Sequence, residues 1–149
     1  YIYKGILMVS KNKDIIAFSK RHLQTESDHL KIITEILPEK HHSKLVFLWK
    51  ILGFITGFFP ALCGDKFVYA TIYAVESFVE EHYKDQINLI SKDKKYEKIK
   101  HLIEKLMDDE VDHKNEAHEK FKNLNFFQRF WSTIVRKGSS FAVKVSMVV

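Results

Sequence analysis

Two pairs of a carboxylate and an imidazole stand out in this sequence because each pair is spaced by about one helical turn. Glu26 precedes His29 by three residues, and Glu110 precedes His113 by three residues. Side chains three apart share one face of a helix, so each pair can reach the same point in space. Apolar residues flank both pairs, and a buried charge must be paired or must bind a metal ion. The two motifs predict a metal site between two helices.

A third carboxylate suits the same site. Glu76 stands in the apolar run Y73-A-V-E-S-F-V79 with no cation nearby in the sequence, and Glu80, one turn later, is the alternative. Ferritin-like di-iron proteins combine two Glu-x-x-His motifs with one Glu from each of two other helices. Their carboxylates bridge two iron ions, while each imidazole binds one. This pattern predicts a di-iron centre.

A single Glu-x-x-His motif also arises by chance in a helical chain that is rich in both residues. Glu26 could then pair with a lysine or arginine, and His29 could lie at the surface. Five other histidines have no comparable partners, and we expect them at the surface: His22, His41, His42, His101 and His118.

Composition limits the fold and the partners. The 149 residues are 46% hydrophobic, which suits one domain with one core. With 5 Gly and 2 Pro, the chain favours long helices.

The single cysteine, Cys63, excludes an intrachain disulfide and a cysteine-rich zinc site. The net charge of +5 comes from lysines spread along the chain, without a nucleic-acid-binding signature, so we expect no nucleic acid partner.

Apolar spacing predicts the helices that must position these residues. They cover residues 1–21 with a kink or turn at 10–14, then 23–37, 66–91, 93–121, and 126–147 broken near Gly138. The chain begins within an apolar run that has no cap. We therefore expect the first helix to be truncated at Tyr1.

The segment 45–64 is the most apolar part of the chain. It is about as long as a membrane-spanning helix, but it contains Lys50 and Pro60. Gly53 and Gly57 have the spacing of close helix contacts. Three interpretations remain open: a buried central helix, a helix in the membrane interface that admits lipid, and a membrane span.

The order of several blocks resembles the demethoxyubiquinone hydroxylases, a membrane-associated branch of the ferritin-like di-iron proteins. The resemblance covers nearly the whole chain. The blocks are I2-Y-K-G5, E26-S-D-H-L30, L48-W-K-I-L-G-F-I-T-G57 with A61-L-C-G64, V75-E76 with H82-Y-K-D-Q-I87, and D109-E-V-D-H113.

The resemblance implies a ligand set and a reaction. The implied iron ligands are Glu26, His29, Glu76, Glu110 and His113, and a sixth, a glutamate, is expected before Tyr1. Two Fe ions, O2 and electrons from NADH would then hydroxylate a prenylated demethoxybenzoquinone in ubiquinone biosynthesis. Tyr83 would lie near the substrate or in the path of electrons, unless it is only a packed aromatic residue.

The same resemblance implies where the enzyme works. Residues 45–64 would hold it peripherally on an inner membrane, either bacterial or on the matrix side of a mitochondrion. A lipid-binding protein of ubiquinone biosynthesis would be a partner. Two departures from the family pattern are Ser77, where a second acid is usual, and residues 138–149, which lack the usual charged ending.

We therefore expect an all-α, ferritin-like four-helix bundle with an additional hydrophobic interfacial helix, as a single domain over residues 1–149. Two other functional classes remain open. One is a different ferritin-like di-iron oxidase or an iron store, and the other is a non-enzymatic helical membrane-interaction protein. The second alternative predicts no bound metal.

Overall fold

The computed structural model describes residues 1–148, and all regular elements in that range are helical. Short 3-10 turns lie at Glu39–His41 and Lys94–Tyr96. The α-helices are α1 (Ile2–Val9), α2 (Lys13–Ile36), α3 (Val46–Cys63), α4 (Asp65–Ile90), α5 (Glu97–Glu119) and α6 (Phe126–Ser146). The all-α prediction is confirmed, and the arrangement is consistent with a ferritin-like helical bundle.

The first two helices divide at a different place from the predicted one. α1 already ends at Val9, and α2 continues from Lys13 to Ile36 without the expected division near residue 22. The reason is a helix cap, because the side chain of Asn12 accepts a hydrogen bond of 2.8 Å from the backbone N–H of Asp14. Of the two predicted alternatives for residues 10–14, a kink or a short turn, the structure shows a short turn between two helices.

The predicted break in the last helix was also wrong. α6 continues through Gly138 to Ser146. One glycine inside a helix costs only about 1 kcal/mol relative to alanine. The helix begins with a capping box, in which Asn125 and Gln128 exchange side-chain and backbone hydrogen bonds of 2.9 Å. A well-formed start and packing against α4 outweigh the cost of one glycine.

α4 is the central helix, and it packs against α3, α5 and α6. α2 contacts α1 and α5, so α1, α2, α4 and α5 surround the interior. A compact apolar core fills one end of this interior and includes Ile6, Phe18 and Ile72, all at most 2% exposed. The polar residues of interest lie beside this core on α2, α4 and α5.

α1 and α3 cross with their backbones in contact. A Cβ atom added to Gly5 would lie 2.1 Å from the carbonyl oxygen of Phe54, and one added to Gly57 would lie 1.9 Å from that of Ile2. Only glycine fits at these two positions. Gly57 therefore supplies the close helix contact that its spacing in the sequence suggested.

The opposite face of α3 is exposed. Phe47, Phe59 and Leu62 are 76%, 53% and 59% exposed. Only 11% of the 18 residues are buried, which excludes a buried central helix. By length and composition α3 is also long and apolar enough to cross a membrane. It remains outside the four helices that surround the interior.

Candidate metal centre

Three helices bring together four of the five predicted ligands. Glu26 comes from α2, Glu76 from α4, and Glu110 and His113 from α5, and one ligand atom of each lies within 4.8 Å of the others. Glu76 and Glu110 are each 3% exposed. Three carboxylates and one imidazole, of which Glu26 is partly exposed and the others are buried, have the composition of a ferritin-like metal site.

The fifth predicted ligand, His29, joins the group through Glu110. Its Nδ1 lies 3.1 Å from Oε1 of Glu110, and its Nε2 lies 3.0 Å from Oδ2 of Asp109. A carboxylate on the outer nitrogen is the usual way to hold a metal-binding imidazole in its orientation. Of the acids that could do this, Asp109 contacts His29, whereas Asp28 accepts hydrogen bonds from Gln24.

Burial and neighbouring charges raise the pKa of Glu76. Burial, together with the carboxylates of Glu26 and Glu110, raises the pKa of Glu76 well above its usual range. The hydroxyl of Tyr3 donates a hydrogen bond of 3.2 Å to Oε1 of Glu76, which opposes this shift. Like charges at close range disfavour ionisation unless a cation compensates them. A bound metal ion would be that cation.

Glu110 and His113 behave as an ion pair. Burial raises the pKa of Glu110, but the neighbouring imidazoles of His113 and His29 outweigh burial and lower this pKa to about 2. Burial lowers the pKa of His113, but Glu110 and Glu26 outweigh it and raise this pKa to about 9. The protonated imidazole therefore compensates the carboxylates where a metal ion would otherwise do so.

Two buried atoms at the centre of the group have no hydrogen-bond partner among the described residues. They are Oε2 of Glu110 and Nδ1 of His113, which lie 3.4 Å apart. Buried polar atoms normally have a partner. Both atoms are metal-ligand types, so these residues fit a metal ion. The chemistry of the set, carboxylates with imidazoles, matches iron.

Two other carboxylates on α4 form ion pairs with basic side chains and do not join the cluster. Glu80 forms ion pairs with Lys84 and Lys114, and Glu81 pairs with Arg136. Both are therefore compensated by cations. Of the acids considered on α4, Glu76 is the one that joins the cluster, as its apolar surroundings in the sequence indicated.

Tyr83 lies near the cluster. Burial and the carboxylates of Glu110, Glu26 and Glu76 raise its pKa above the usual value, so the phenol stays protonated. Its neighbour His82 faces another surface, where it stacks on Phe78 at 5.9 Å and contacts Gln86 at 3.1 Å. The structure thus separates the two members of the His-Tyr pair.

The prediction that His22 lies at the surface was wrong. The residue is 3% exposed, and its Nε2 lies 2.8 Å from Oε2 of Glu116. Burial and the nearby His113 lower its pKa to about 4 despite this contact. The signal in the sequence was its position four residues before Glu26, on the same helical face. His41, His101 and His118 are exposed as expected, and His42 is half-buried.

An apolar cavity of about 510 Å³ lies between α1, α3, α4 and α6. Its wall includes Ile2 and Val75, the sequence neighbours of Tyr3 and Glu76. Leu52 from α3, together with Trp131 and Phe141 from α6, forms much of the remainder. Val75 on α4 therefore shares the wall of this cavity with the apolar helix α3.

Comparison with known proteins gives a consistent result. The family model described as "Ubiquinone biosynthesis protein COQ7" matches residues 1–146. The human NADPH-dependent 3-demethoxyubiquinone 3-hydroxylase, mitochondrial, is 28% identical over 149 residues, which cover 97% of this chain and 69% of the relative. The Dictyostelium discoideum protein of the same name is 27% identical over 151 residues, which cover 97% of this chain and 68% of the relative.

A bacterial relative has a similar name. The 3-demethoxyubiquinol 3-hydroxylase of Rhodospirillum rubrum is 26% identical over 117 residues, which cover 76% of this chain and 54% of the relative. The match of the family model extends from Tyr1 to Ser146 and includes all the residues of the cluster. The chain belongs to the COQ7 family of ubiquinone biosynthesis proteins.

Proposed function

We propose that this protein is a di-iron monooxygenase that hydroxylates the ring of a prenylated demethoxybenzoquinone in ubiquinone biosynthesis. One oxygen atom of O2 enters the ring as a hydroxyl group. The other oxygen atom leaves as water, after two electrons and two protons are taken up. The hydroxylase names of the family relatives support the reaction class.

The buried cluster is the observation that carries this proposal. Glu26, Glu76, Glu110 and His113 lie within 4.8 Å of one another, and His29 contacts Glu110. These five residues would hold two Fe ions. When bound, ferrous ions supply the electron transfer to O2 that amino-acid side chains do not provide.

The surrounding residues have supporting roles. Asp109 fixes the ring orientation of His29 through a contact of 3.0 Å. Tyr3 donates a hydrogen bond to one oxygen of Glu76, which leaves the other oxygen available to bind a metal ion. The proposed role of Tyr83, whose phenol is protonated, is to donate a hydrogen bond to a quinone oxygen.

The apolar cavity and α3 suit a substrate with an isoprenoid tail. The cavity of about 510 Å³ is lined mainly by apolar side chains and reaches the neighbours of Tyr3 and Glu76. The exposed face of α3 would rest in the membrane interface, from which such a tail enters. We propose peripheral association with an inner membrane. The names of the human and D. discoideum relatives include the word mitochondrial, which supports a mitochondrial location.

The electron donor is proposed to be a reduced nicotinamide nucleotide. The resemblance implies NADH, whereas the names of the relatives specify NADPH. The assay should therefore compare the two donors at equal concentration.

A lipid-binding protein of ubiquinone biosynthesis remains a proposed partner that would deliver the quinone.

Iron stoichiometry tests the proposal first. The natural full-length chain is loaded with Fe(II) without oxygen, and bound iron per chain is counted. We expect two irons in the wild type and a clear loss in Glu110→Ala. Glu104→Ala is the matched control, because Glu104 lies on α5 but pairs with Lys100 and His101. Quinone turnover with NADPH or NADH follows.

The outcomes separate the three functional classes. Two irons with hydroxylation of a demethoxyquinone support the proposal. Two irons without turnover favour another ferritin-like oxidase or an iron store. No specific iron in the wild type would refute the di-iron proposal and favour the membrane-interaction protein.

A further inference from the structure

The two histidines of the cluster are supported in different ways. His29 has a polar partner on both ring nitrogens, Asp109 and Glu110. In His113 the nitrogen that faces the cluster is Nδ1, which lies 3.4 Å from Glu110 and 3.7 Å from Glu26, and among the described residues no carboxylate pairs with the outer nitrogen, Nε2. A metal-binding imidazole needs a fixed ring orientation. Some other contact must therefore hold the ring of His113.

The ring of His22 makes that contact. The two ring centroids are 3.9 Å apart, and the planes meet at 71° in an edge-to-face arrangement. This short distance leaves His113 little freedom to rotate toward α2. His22 is therefore one wall of the space that His113 occupies.

His22 is itself held on its other sides. Its ring packs on Phe18 at 4.1 Å and stacks on Tyr3 at 5.7 Å. Its Nε2 faces a carboxylate oxygen of Glu116 at 2.8 Å, so Nε2 carries a proton and donates it. Arg21 forms an ion pair with the other oxygen of Glu116. Packing against Phe18 and Tyr3 and the hydrogen bond to Glu116 therefore both restrict the movement of the His22 ring.

The helical register places these contacts directly beside the cluster. His22 lies one turn before Glu26 on α2, and Glu116 lies one turn after His113 on α5. The same two helices that carry the Glu-x-x-His motifs therefore build a supporting layer beside them.

We propose that the ring of His22, through its packing against His113, is a positioning group that fixes the orientation of His113 for metal binding. It does for His113 by ring packing what Asp109 does for His29 by a hydrogen bond. This inference rests on the proposed function, because it requires that the cluster binds metal.

Cobalt binding tests the inference with a readout other than activity. The natural full-length chain, free of metal, is titrated with Co(II), and visible absorption reports both the affinity and the ligand environment. The variants are His22→Ala, which removes the ring, and His22→Phe, which keeps a flat ring but removes the hydrogen bond. Glu104→Ala is the surface control on α5. Thermal unfolding of the metal-free variants measures stability separately.

We expect His22→Ala to weaken Co(II) binding by roughly tenfold or more, the loss typical when the support of a ligand is removed. Its absorption spectrum should change as one nitrogen ligand becomes disordered. His22→Phe should largely restore both affinity and spectrum. Should His22→Ala fail to fold, His22→Leu replaces it, because leucine fills volume without a flat ring.

Other outcomes are equally informative. If His22→Ala lowers only the unfolding temperature and binds Co(II) with wild-type affinity and spectrum, the inference is overturned while the proposed function stands. If His22→Phe is as defective as His22→Ala, ring packing is not the mechanism and the inference fails. If the wild type binds no Co(II), the proposed metal site and this inference fail together.

Discussion

Tyr3 and Glu76, which are 73 residues apart in the chain, meet in the interior through a hydrogen bond of 3.2 Å. The phenol on α1 thereby holds a carboxylate on α4 that is 3% exposed. α1 contributes none of the five proposed ligands among the described residues, yet it contacts the centre through this bond. The position of α1 therefore affects the chemistry of the cluster.

The first prediction concerns Tyr3→Phe. The variant removes the donor to Glu76 and leaves the ring packing on Phe18 and His22 intact. Loss of one buried hydrogen bond to an acid should lower the free energy of unfolding of the metal-free protein by about 1–2 kcal/mol. Urea unfolding measures it. An unchanged midpoint would show that the bond contributes nothing to stability.

Metal binding should release protons at neutral pH. His113, with a pKa of about 9, is protonated at pH 7 in the metal-free protein, and the raised pKa of Glu76 favours its protonated form. A ligand must lose its proton to bind a metal ion. Affinity should therefore rise as the pH increases from 6 toward 9 and level off above the pKa of His113.

Calorimetry in two buffers with different ionisation enthalpies measures this release. The apparent binding enthalpy at pH 7 should depend on the buffer, in proportion to the number of protons released. Binding enthalpies that agree between the buffers would contradict the assigned protonation states.

The contact of α1 with α3 should not tolerate a methyl group. In Gly57→Ala the added Cβ would meet the carbonyl oxygen of Ile2 at 1.9 Å, so the two helices must separate. Overpacking of this kind typically costs about 1–3 kcal/mol. Because α1 carries Tyr3, metal affinity should also fall.

Gly138→Ala is the matched control for that variant. A Cβ at Gly138 meets no heavy atom within 4 Å, and the residue lies inside α6. Removing a helical glycine should stabilise the protein by about 0.5–1 kcal/mol. Thermal unfolding should therefore move in opposite directions for the two variants, and a shift in the same direction would refute the role of Gly57.

The exposed face of α3 should control membrane binding. Phe54 and Phe58 on this helix are half-buried and stack on each other, so they are poor targets for the test. Phe47 and Phe59, at 76% and 53% exposure, are better targets. The double variant Phe47→Asp/Phe59→Asp should lose flotation with liposomes that contain anionic lipid.

Iron content separates membrane binding from folding in that experiment. The double variant should keep its iron, because neither residue belongs to the cluster. The control Ile99→Asp alters an apolar residue that is 41% exposed on α5, and it should bind liposomes normally. Undiminished flotation of the double variant would refute the docking role of α3.

Local patterns in the sequence were sufficient for some of this structure. The spacing of Glu26 with His29, and of Glu110 with His113, depends only on the helical repeat, so each pair shares a face wherever its helix packs. Glu76 was identified by the absence of a local cation, and the structure places it in the cluster. The all-α class followed in the same way from periodicity and from the few glycines and prolines.

The burial and the pairing of the remaining site residues depend on contacts between helices. His22 shares a helical face with Glu26, but its partners Glu116 and His113 are determined only by the packing of α2 against α5. The pairing of Asp109 with His29, rather than with a residue of its own helix, has the same origin. Burial and charge pairing depend on residues about 80 or 90 positions away, and a helical repeat contains no information about such distant partners.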